Sequence, residues 1–243
     1  KYKKIKGMIS ATLNNCSKIL VQSNLDLQRY KELGVREEIL KVYPNLKYSI
    51  DYPVLDTEQK EELEERIKIN GRKLITAGST REGEEKILID IFKKINEAEK
   101  YQMVLVPRHI QRTEEVAALC EGLDFSLYSE NKKTEIIIVD KMGILREMYQ
   151  ISDLVFVGGT FVEIGGHSIL EPLYYGKVPI IGKYYSNIKD VAENAKPLNL
   201  VNIAETESEL EDFFLDSDNS KNRETSEFFK KYNKIDEIIK EIL

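Results

Sequence analysis

The chain has 243 residues, of which 42% are hydrophobic and 32% charged, and its formal net charge is −6. This length suits one large domain or two small ones, and the excess of acidic residues disfavours a general nucleic-acid-binding role. No apolar stretch approaches the ~20 residues of a membrane-spanning helix, and the sequence shows no signal-peptide pattern. Cys16 and Cys120 match no metal-binding spacing and provide no disulfide framework, which favours a reducing cytosol.

Six short apolar runs, rich in Val, Ile and Leu, have the length and composition of buried parallel strands. These predicted strands are residues 18–23, 73–79, 102–108, 135–140, 153–159 and 178–183. Helical patterns occur at residues 26–34, 52–70, 83–98 and 113–122. Strands that alternate with helices are typical of α/β proteins, so the sequence predicts a Rossmann-like, doubly wound parallel sheet.

The chain divides into three segments of different character. Residues 1–45 contain one predicted strand and one or two helices, too little to bury a core of their own. They either extend the main sheet or belong to a domain whose remainder is absent. Residues 46–225 hold the main sheet, and residues 226–243 form an amphipathic C-terminal helix. Because the chain begins at Lys1 without a methionine, we expect a piece of a longer protein.

The loop after the second predicted strand contains Ser79, Thr80, Glu82 and Gly83 at the start of a helix. In a doubly wound sheet, ligands bind at the carboxyl ends of the strands, so this loop is a candidate site. Backbone N–H groups at a helix start can bind an anion. An N-cap followed by acidic residues that complement the helix dipole explains the same pattern.

Arg108 and His109 follow the third predicted strand. Arginine offers a fixed fork of donors for phosphate, and histidine offers a ring with one or two N–H groups. The other histidine of the chain, His167, also follows a predicted strand, so both should lie at the same edge of the sheet. The alternative interpretation is a surface arginine with a capping histidine.

Met142 and Gly143 follow the fourth predicted strand. A glycine turn at this point can let the backbone approach a flat base. The methionine taken alone favours a position in the core.

The stretch VGGTFVEIGGHSILEP, residues 157–172, concentrates four glycines, a histidine and a carboxylate. Its two Gly-Gly pairs permit tight turns and a close approach of a ligand to the backbone. His167 precedes a helix predicted to begin near Ser168, where a phosphate can bind, and Glu171 in the first turn can accept hydrogen bonds from a ribose diol. Two glycine turns with a capping acid are the alternative. The stretch is neither a GxGxxG fingerprint after the first strand nor a P-loop.

Taken together and in their order along the chain, these pieces resemble the C-terminal half of 3-deoxy-D-manno-octulosonic acid (Kdo) transferases. The matching pieces, spread over residues 18–195, are ILVQSNLDLQRYKELG, NLKYSI, AGSTREGEE, VPRH, VDKMGILREMYQISDLVFVGGT and GGHSILEPLYYGKVPIIG. The resemblance implies the C-terminal domain of a GT-B glycosyltransferase, a fold with two Rossmann-like domains that face each other across a cleft. It also implies that residues 1–45 are the remnant of the N-terminal domain with its linker.

The resemblance also implies an activity: transfer of Kdo from CMP-Kdo to a lipid A precursor, with inversion, in lipopolysaccharide core biosynthesis. It implies no metal and no other cofactor, and no nucleic-acid partner. The parent enzyme is expected at the cytoplasmic face of the bacterial inner membrane as a peripheral protein, and this piece of it is expected to be soluble.

By matching motif positions, the resemblance implies a set of donor-nucleotide contacts. These are Ser79, Thr80, Glu82, Gly83, Arg108, His109, Met142, Gly143, Gly159, Thr160, Gly166, His167, Ser168 and Glu171. Within the set, Arg108 and His109 would meet the CMP phosphate or the cytosine, the backbone at Gly143 the base, and Glu171 the ribose hydroxyls. Gly159 and Thr160 would line the donor pocket.

Two departures from the family pattern stand out. Ser168 and Ile169 occupy positions where Asn and Pro are common, and Arg81 replaces a histidine. The family's general base is a glutamate of the N-terminal domain, so no catalytic residue is expected in this chain, which alone should bind nucleotide weakly and not catalyse transfer. Another GT-B glycosyltransferase or epimerase acting on nucleotide sugars, or a non-catalytic nucleotide-binding module, are the alternatives.

Overall fold

The structure, a computed structural model, describes residues 5–243 except the side chain of Ser217. The strands are β1 (Ile19–Val21), β2 (Leu40–Val42), β3 (Lys73–Thr80), β4 (Tyr101–Pro107), β5 (Phe125–Leu127), β6 (Ile136–Ile138), β7 (Leu154–Val157), β8 (Pro179–Gly182) and β9 (Asn202–Ala204). The helices are α1 (Lys6–Leu13), α2 (Asn24–Glu32), α3 (Thr57–Ile67), α4 (Glu84–Ile95), α5 (Thr113–Leu119), α6 (Leu145–Ile151), α7 (Leu170–Tyr174), α8 (Lys189–Ala195), α9 (Glu207–Leu215), α10 (Ser226–Tyr232) and α11 (Ile235–Ile242). The chain forms two compact units, one made of the residues before Tyr52 together with Ser226–Leu243, the other of Tyr52–Thr225.

The larger unit, Tyr52–Thr225, is built on a seven-stranded sheet in the order β5-β6-β4-β3-β7-β8-β9, and every neighbouring pair is parallel. The central strands are buried on both faces, which is why their sequences are continuous apolar runs and do not alternate. Apolar clusters cover each face, one built around α4 and the other around α3 and α6. The predicted doubly wound α/β sheet is confirmed.

The direction of strand addition reverses between β3 and β7. From β3 the chain adds strands on one side of the sheet, and it then returns to add β7, β8 and β9 on the other. Ligands of doubly wound sheets bind outside the carboxyl ends of the strands at this switch point. The loops after β3 and β7 therefore lie where a binding site is expected.

The smaller unit pairs β1 with β2 in parallel and buries Val21, Val35, Ile39 and Leu40. Its C-terminal helices pack on the earlier residues. Glu241 accepts hydrogen bonds from Lys18, Lys41 and Tyr43, and it forms ion pairs with the two lysines. These ion pairs hold the pKa of Glu241 near 2. The C-terminal helices thus belong with the first residues of the chain. Residues 1–4 of the predicted 1–45 segment lie outside the described part.

The structure corrects several predicted elements. Residues 226–243 form two helices, since α10 ends at Tyr232 and α11 begins at Ile235, whose N–H donates to the Asn233 side chain. The helix predicted over 52–70 begins only at Thr57, after Asp56 and Gln59 form a reciprocal capping box. Strands β2, β5 and β9 have three residues each and were not predicted. In residues 5–243, no helix is both long and apolar enough to cross a bilayer.

Candidate donor-binding site

Two strand-end loops of the larger unit enclose a cavity of about 280 Å³. One wall follows β4 and the other follows β6. The lining residues are Ser79, Val106, Pro107, Arg108, His109, Ile110, Gln111, Val139, Lys141, Met142, Gly143, Ile144 and Leu145. Five of the predicted contact residues, from the end of β3 and the loops after β4 and β6, thus line one cavity: Ser79, Arg108, His109, Met142 and Gly143.

The loop after β6 is open to solvent. The Met142 side chain is 77% exposed, so the interpretation of this methionine as a core residue is wrong. Gly143 has a φ of +87°, and a side chain added there would meet nothing within 4 Å. The turn therefore requires glycine for its left-handed backbone and not for lack of space, and the backbone at Gly143 is accessible to a ligand.

The end of β3 is bent by a register shift between Gly78 and Thr80. Ser79, at the bend, has a φ of 57°, which is uncommon for a residue with a side chain. Beyond the shift, the Arg108 N–H donates to the carbonyl oxygen of Thr80 at 3.0 Å. This bend places Ser79 in the cavity wall and joins the loop after β4 to the end of β3. The Thr80 side chain is buried, and its place in the predicted donor-binding set stays a prediction.

A buried carboxylate, Glu84, organises the loop after β7. Its two oxygens accept the backbone N–H groups of Gly159, Thr160 and Phe161 at 2.7 to 2.9 Å, and of Arg81 at 2.9 Å. Burial raises the pKa of Glu84, and the four backbone donors act against that rise. The sequence did not identify Glu84, because an acidic residue in the first turn of a helix is ordinarily explained by the helix dipole.

The glycines of the loop after β7 allow close packing of the backbone. A Cβ at Gly158 would lie 2.5 Å from the carbonyl oxygen of Ser79, and one at Gly159 3.1 Å from the His167 ring. The Thr160 side chain is fully buried, and its hydroxyl donates to the Val157 carbonyl oxygen at 2.8 Å. The prediction that Thr160 lines the pocket is corrected here, since the side chain and the N–H are both occupied within the protein.

Arg81 lies between the two histidines. Its Nε donates to His167 Nε2 at 3.1 Å, and its Nη1 lies 2.8 Å from His109 Nε2. A guanidinium has no acceptor, so both ring nitrogens accept. Burial lowers the pKa of His167 to about 4, and the charges of Arg81 and Arg108 act in the same direction. His167 is therefore neutral at physiological pH, with its proton on Nδ1.

Glu171 lies in the first turn of α7, as predicted, although that helix begins two residues after Ser168. The Ser168 hydroxyl accepts the Leu170 N–H at 3.3 Å. Glu171 is partly buried, which raises its pKa, and it lies 4.0 Å from Arg146 Nε. Tyr52 is close enough to Glu171 for that charge, after burial, to raise the pKa of its phenol. Sequence reasoning did not connect Tyr52 with this site.

The remaining predicted positions, Glu82, Gly83 and Gly166, do not line the cavity. Glu82 is exposed, Gly83 has a φ of +93° at the start of α4, and Gly166 has a φ of +86° with its N–H on the Gly159 carbonyl. Within residues 5–243, no group of three or more His, Cys, Asp or Glu side chains is placed to hold a metal ion. The same part of the chain shows no ion pair of Arg81, Arg108 or Lys141 with a carboxylate, so these cations are free to meet an anionic ligand.

Comparisons with known proteins agree on one family. Residues 1–50 match a family model described as 3-deoxy-D-manno-octulosonic-acid transferase (kdotransferase). A bifunctional glycosyltransferase/methyltransferase from Fusobacterium nucleatum is 41% identical over 201 residues, covering 79% of this chain and 31% of that protein. A Kdo transferase from Haemophilus influenzae is 34% identical over 207 residues, covering 79% and 46%. The chain thus spans less than half the length of these relatives.

Solved structures show a similar fold. The C-terminal CMP-Kdo binding domain of WaaA from Acinetobacter baumannii is 28% identical, with a TM-score of 0.62, over 65% of this chain and 86% of that one. A glycosyltransferase from Anabaena, in complex with UDP and glucose, has a TM-score of 0.53 at 14% identity over 100% of this chain and 66% of that one, a likeness of fold alone.

The fold and its structural neighbours are those of the GT-B glycosyltransferases. Within that class, the chain is a relative of the Kdo transferases, and the resemblance found in the sequence is confirmed.

Proposed function

We propose that this chain is the donor-binding part of an inverting Kdo transferase that transfers Kdo from CMP-Kdo to a lipid A precursor. The observation that carries the proposal is the cavity between the loops after β4 and β6, with Arg108 and His109 on one wall and Gly143 on the other. A flat base can stack against the accessible backbone at Gly143, with its phosphate toward Arg108. A solved structure that is 28% identical to this chain is described as a CMP-Kdo binding domain, which supports the choice of donor.

Glu171 is the proposed ribose ligand. Leu145, the first residue of α6, lines the cavity, and the next residue, Arg146, approaches Glu171. The start of α6 therefore connects the proposed base site with this carboxylate. A carboxylate can accept both hydroxyls of a ribose, as acidic residues do in other nucleotide sites.

The proposed chemical contribution of this chain is stabilisation of the leaving group. When the bond to the anomeric carbon breaks, negative charge develops on the departing CMP phosphate, and the Arg108 guanidinium can stabilise it. The general base is proposed to lie in the N-terminal domain of the whole enzyme, as are the acceptor site and the association with the inner membrane. We propose that transfer requires no metal, with Arg108 providing the positive charge.

Calorimetric titration with CMP, UMP and GDP tests the proposal. We expect the chain to bind CMP and to bind UMP or GDP at least tenfold more weakly, with no change when EDTA is added. Glu171→Ala should weaken CMP binding by about tenfold, the effect of one lost charge-assisted hydrogen bond. Glu163→Ala, an exposed acid in the same sequence stretch, is the matched control and should bind normally. Equal affinity for UMP and CMP would contradict the proposed donor.

A transfer assay with CMP-Kdo and a lipid A precursor tests whether the general base lies outside this chain. The chain alone should show no turnover, because the proposed base lies outside it. Turnover by this chain alone would overturn that part of the proposal. The fold by itself does not determine which nucleotide binds, since a UDP-bound glycosyltransferase shares the fold at 14% identity.

A further inference from the structure

Arg81 is held in place by contacts of both its backbone and its side chain. Its backbone N–H is fixed by the buried Glu84 carboxylate at 2.9 Å, and its side chain is held by His167 and His109. The guanidinium is thus held in place from three directions before any ligand arrives. A preorganised donor loses little freedom on binding, which favours affinity and specificity.

The charge of Arg81 is not neutralised by its partners. Both histidines accept its N–H groups through ring nitrogens, and a histidine that accepts in this way contributes no negative charge. Two of the five guanidinium N–H groups are used, so three remain for a ligand. Nearby, Arg108 lines the cavity and is likewise without a carboxylate partner within residues 5–243.

Two free guanidinium groups exceed what one phosphodiester requires. A sugar joined to a nucleoside monophosphate carries one negative charge at that link, and Arg108 on the cavity wall can match it. Arg81 lies on a different loop, the one after β3, and its Nη1 approaches His109, which lines the cavity. The second cation therefore suits a second anion, displaced from the phosphate toward the sugar.

We propose that Arg81 binds the carboxylate of an acidic sugar in the donor, and so selects sugar-acid nucleotides over neutral ones. This inference rests on the proposed function, because it takes the phosphate and the nucleotide to lie at Arg108 and the cavity. The planar guanidinium fork matches a carboxylate in a bidentate geometry, which lysine cannot reproduce. His109 and His167 act as positioning residues that aim the fork.

The test compares two probes with the same phosphodiester charge: CMP-Kdo, which has the sugar carboxylate, and cytidine 5′-methyl phosphate, which has not. The wild-type chain should bind CMP-Kdo more tightly than the methyl ester, on the order of tenfold to a hundredfold. In Arg81→Gln this preference should disappear, while affinity for the methyl ester stays within about twofold. Arg108→Gln, the matched variant, should weaken both probes.

The outcomes separate this inference from the proposed function. If the wild-type chain binds both probes equally and still prefers CMP to UMP, the proposed function stands and the role of Arg81 is overturned. Equal weakening of both probes by Arg81→Gln also overturns it, since Arg81 would then serve the phosphate or the fold. Failure of the wild-type chain to bind either probe overturns both proposals.

A second variant protects the test against misfolding. Should Arg81→Gln fail to fold, Arg81→Lys keeps the positive charge and loses the fork. It should reduce the preference for CMP-Kdo several-fold and leave binding of the methyl ester unchanged. An unchanged preference in Arg81→Lys would contradict bidentate recognition by Arg81.

Discussion

The loops after β6 and β7 both contain glycine and both follow central parallel strands, yet they differ in how they are held. In the loop after β7, three consecutive N–H groups bind the buried Glu84 carboxylate, and Gly158 packs against the backbone of Ser79. In the loop after β6, Met142 is 77% exposed and the space beside Gly143 is empty.

This difference indicates that the loop after β7 is part of the structural framework and that the loop after β6 is a contact surface. The N–H groups of Gly159, Thr160 and Phe161 in the loop after β7 all bind Glu84. The glycines of this loop therefore serve packing, and its role is to hold neighbouring groups in place. The loop after β6 leaves backbone and side chain accessible, so it can adapt to a ligand. Substitutions should therefore affect stability in the first loop and binding in the second.

The largest effect is expected for Gly158→Ala. The added Cβ would lie 2.5 Å from the Ser79 carbonyl oxygen and 2.6 Å from the Thr80 Cα, and backbone atoms cannot rotate away. We expect a loss of about 3 kcal/mol in the free energy of unfolding, measured by urea denaturation. Gly143→Ala is the control and should cost about 1 kcal/mol, for its left-handed backbone alone. Equal costs at the two glycines would remove the distinction between the loops.

A somewhat smaller effect is expected for Glu84→Gln. The amide NH2 of glutamine would face two buried backbone N–H groups that now bind a carboxylate oxygen. We expect the free energy of unfolding to fall by about 2 to 3 kcal/mol. The exposed neighbour, in the variant Glu82→Gln, should change it by less than about 0.5 kcal/mol. An unaltered unfolding curve for Glu84→Gln would show that this carboxylate does not hold the loop.

A pH-dependent effect is expected at His167. The pKa of histidine is about 6.5 in an unfolded chain, whereas in the fold burial and nearby cations lower the pKa of His167 to about 4. Between these values the unfolded chain binds the extra proton, so this contribution to stability is complete above about pH 6.5 and is lost as the pH falls through 4.

Because His167 is only half-buried, solvent screening reduces the effect to about 1 kcal/mol between pH 7.5 and pH 5. The measurement is urea denaturation at both pH values for the wild-type chain and for His167→Gln, in which the contribution should vanish. His109→Gln should retain it. An identical pH dependence in wild type and His167→Gln would refute the assignment.

The smallest effect on stability is expected for Met142→Ala. The side chain is 77% exposed, so unfolding should change by less than about 0.5 kcal/mol. CMP affinity should fall a few-fold, because the side chain lines the proposed base site. A large loss of stability with normal CMP binding would reverse the roles given to the two loops.

The fold was largely readable from the sequence. Continuous apolar runs are typical of buried strands, and six of the nine described strands were found in this way: β1, β3, β4, β6, β7 and β8. The strands β2, β5 and β9 were not, because each contains a polar residue (Lys41, Ser126 or Asn202). The equally short β1 and β6 were found because they lie within the longer runs 18–23 and 135–140. The break at Asn233 was missed because the hydrophobic period continues across it.

The site was readable in part. Arg108, His109 and Gly143 were identified because they follow strands, and parallel strands end at a common edge. Glu84 was missed, since the distinction between a solvated dipole partner and a buried acceptor of four N–H groups depends on tertiary packing. Arg81 was noticed as a departure from the family pattern, but its position between His109 and His167 depends on how three loops meet.

The most direct test of the account is a map of amide chemical-shift changes in the ¹⁵N-labelled chain on titration with CMP. The account predicts the largest changes at Ser79, Arg108 and Gly143, with small changes at Gly159 and Thr160, whose N–H groups remain on Glu84. Changes concentrated in the loop after β7, with none at Gly143, would contradict the placement of the nucleotide in the cavity between the loops after β4 and β6.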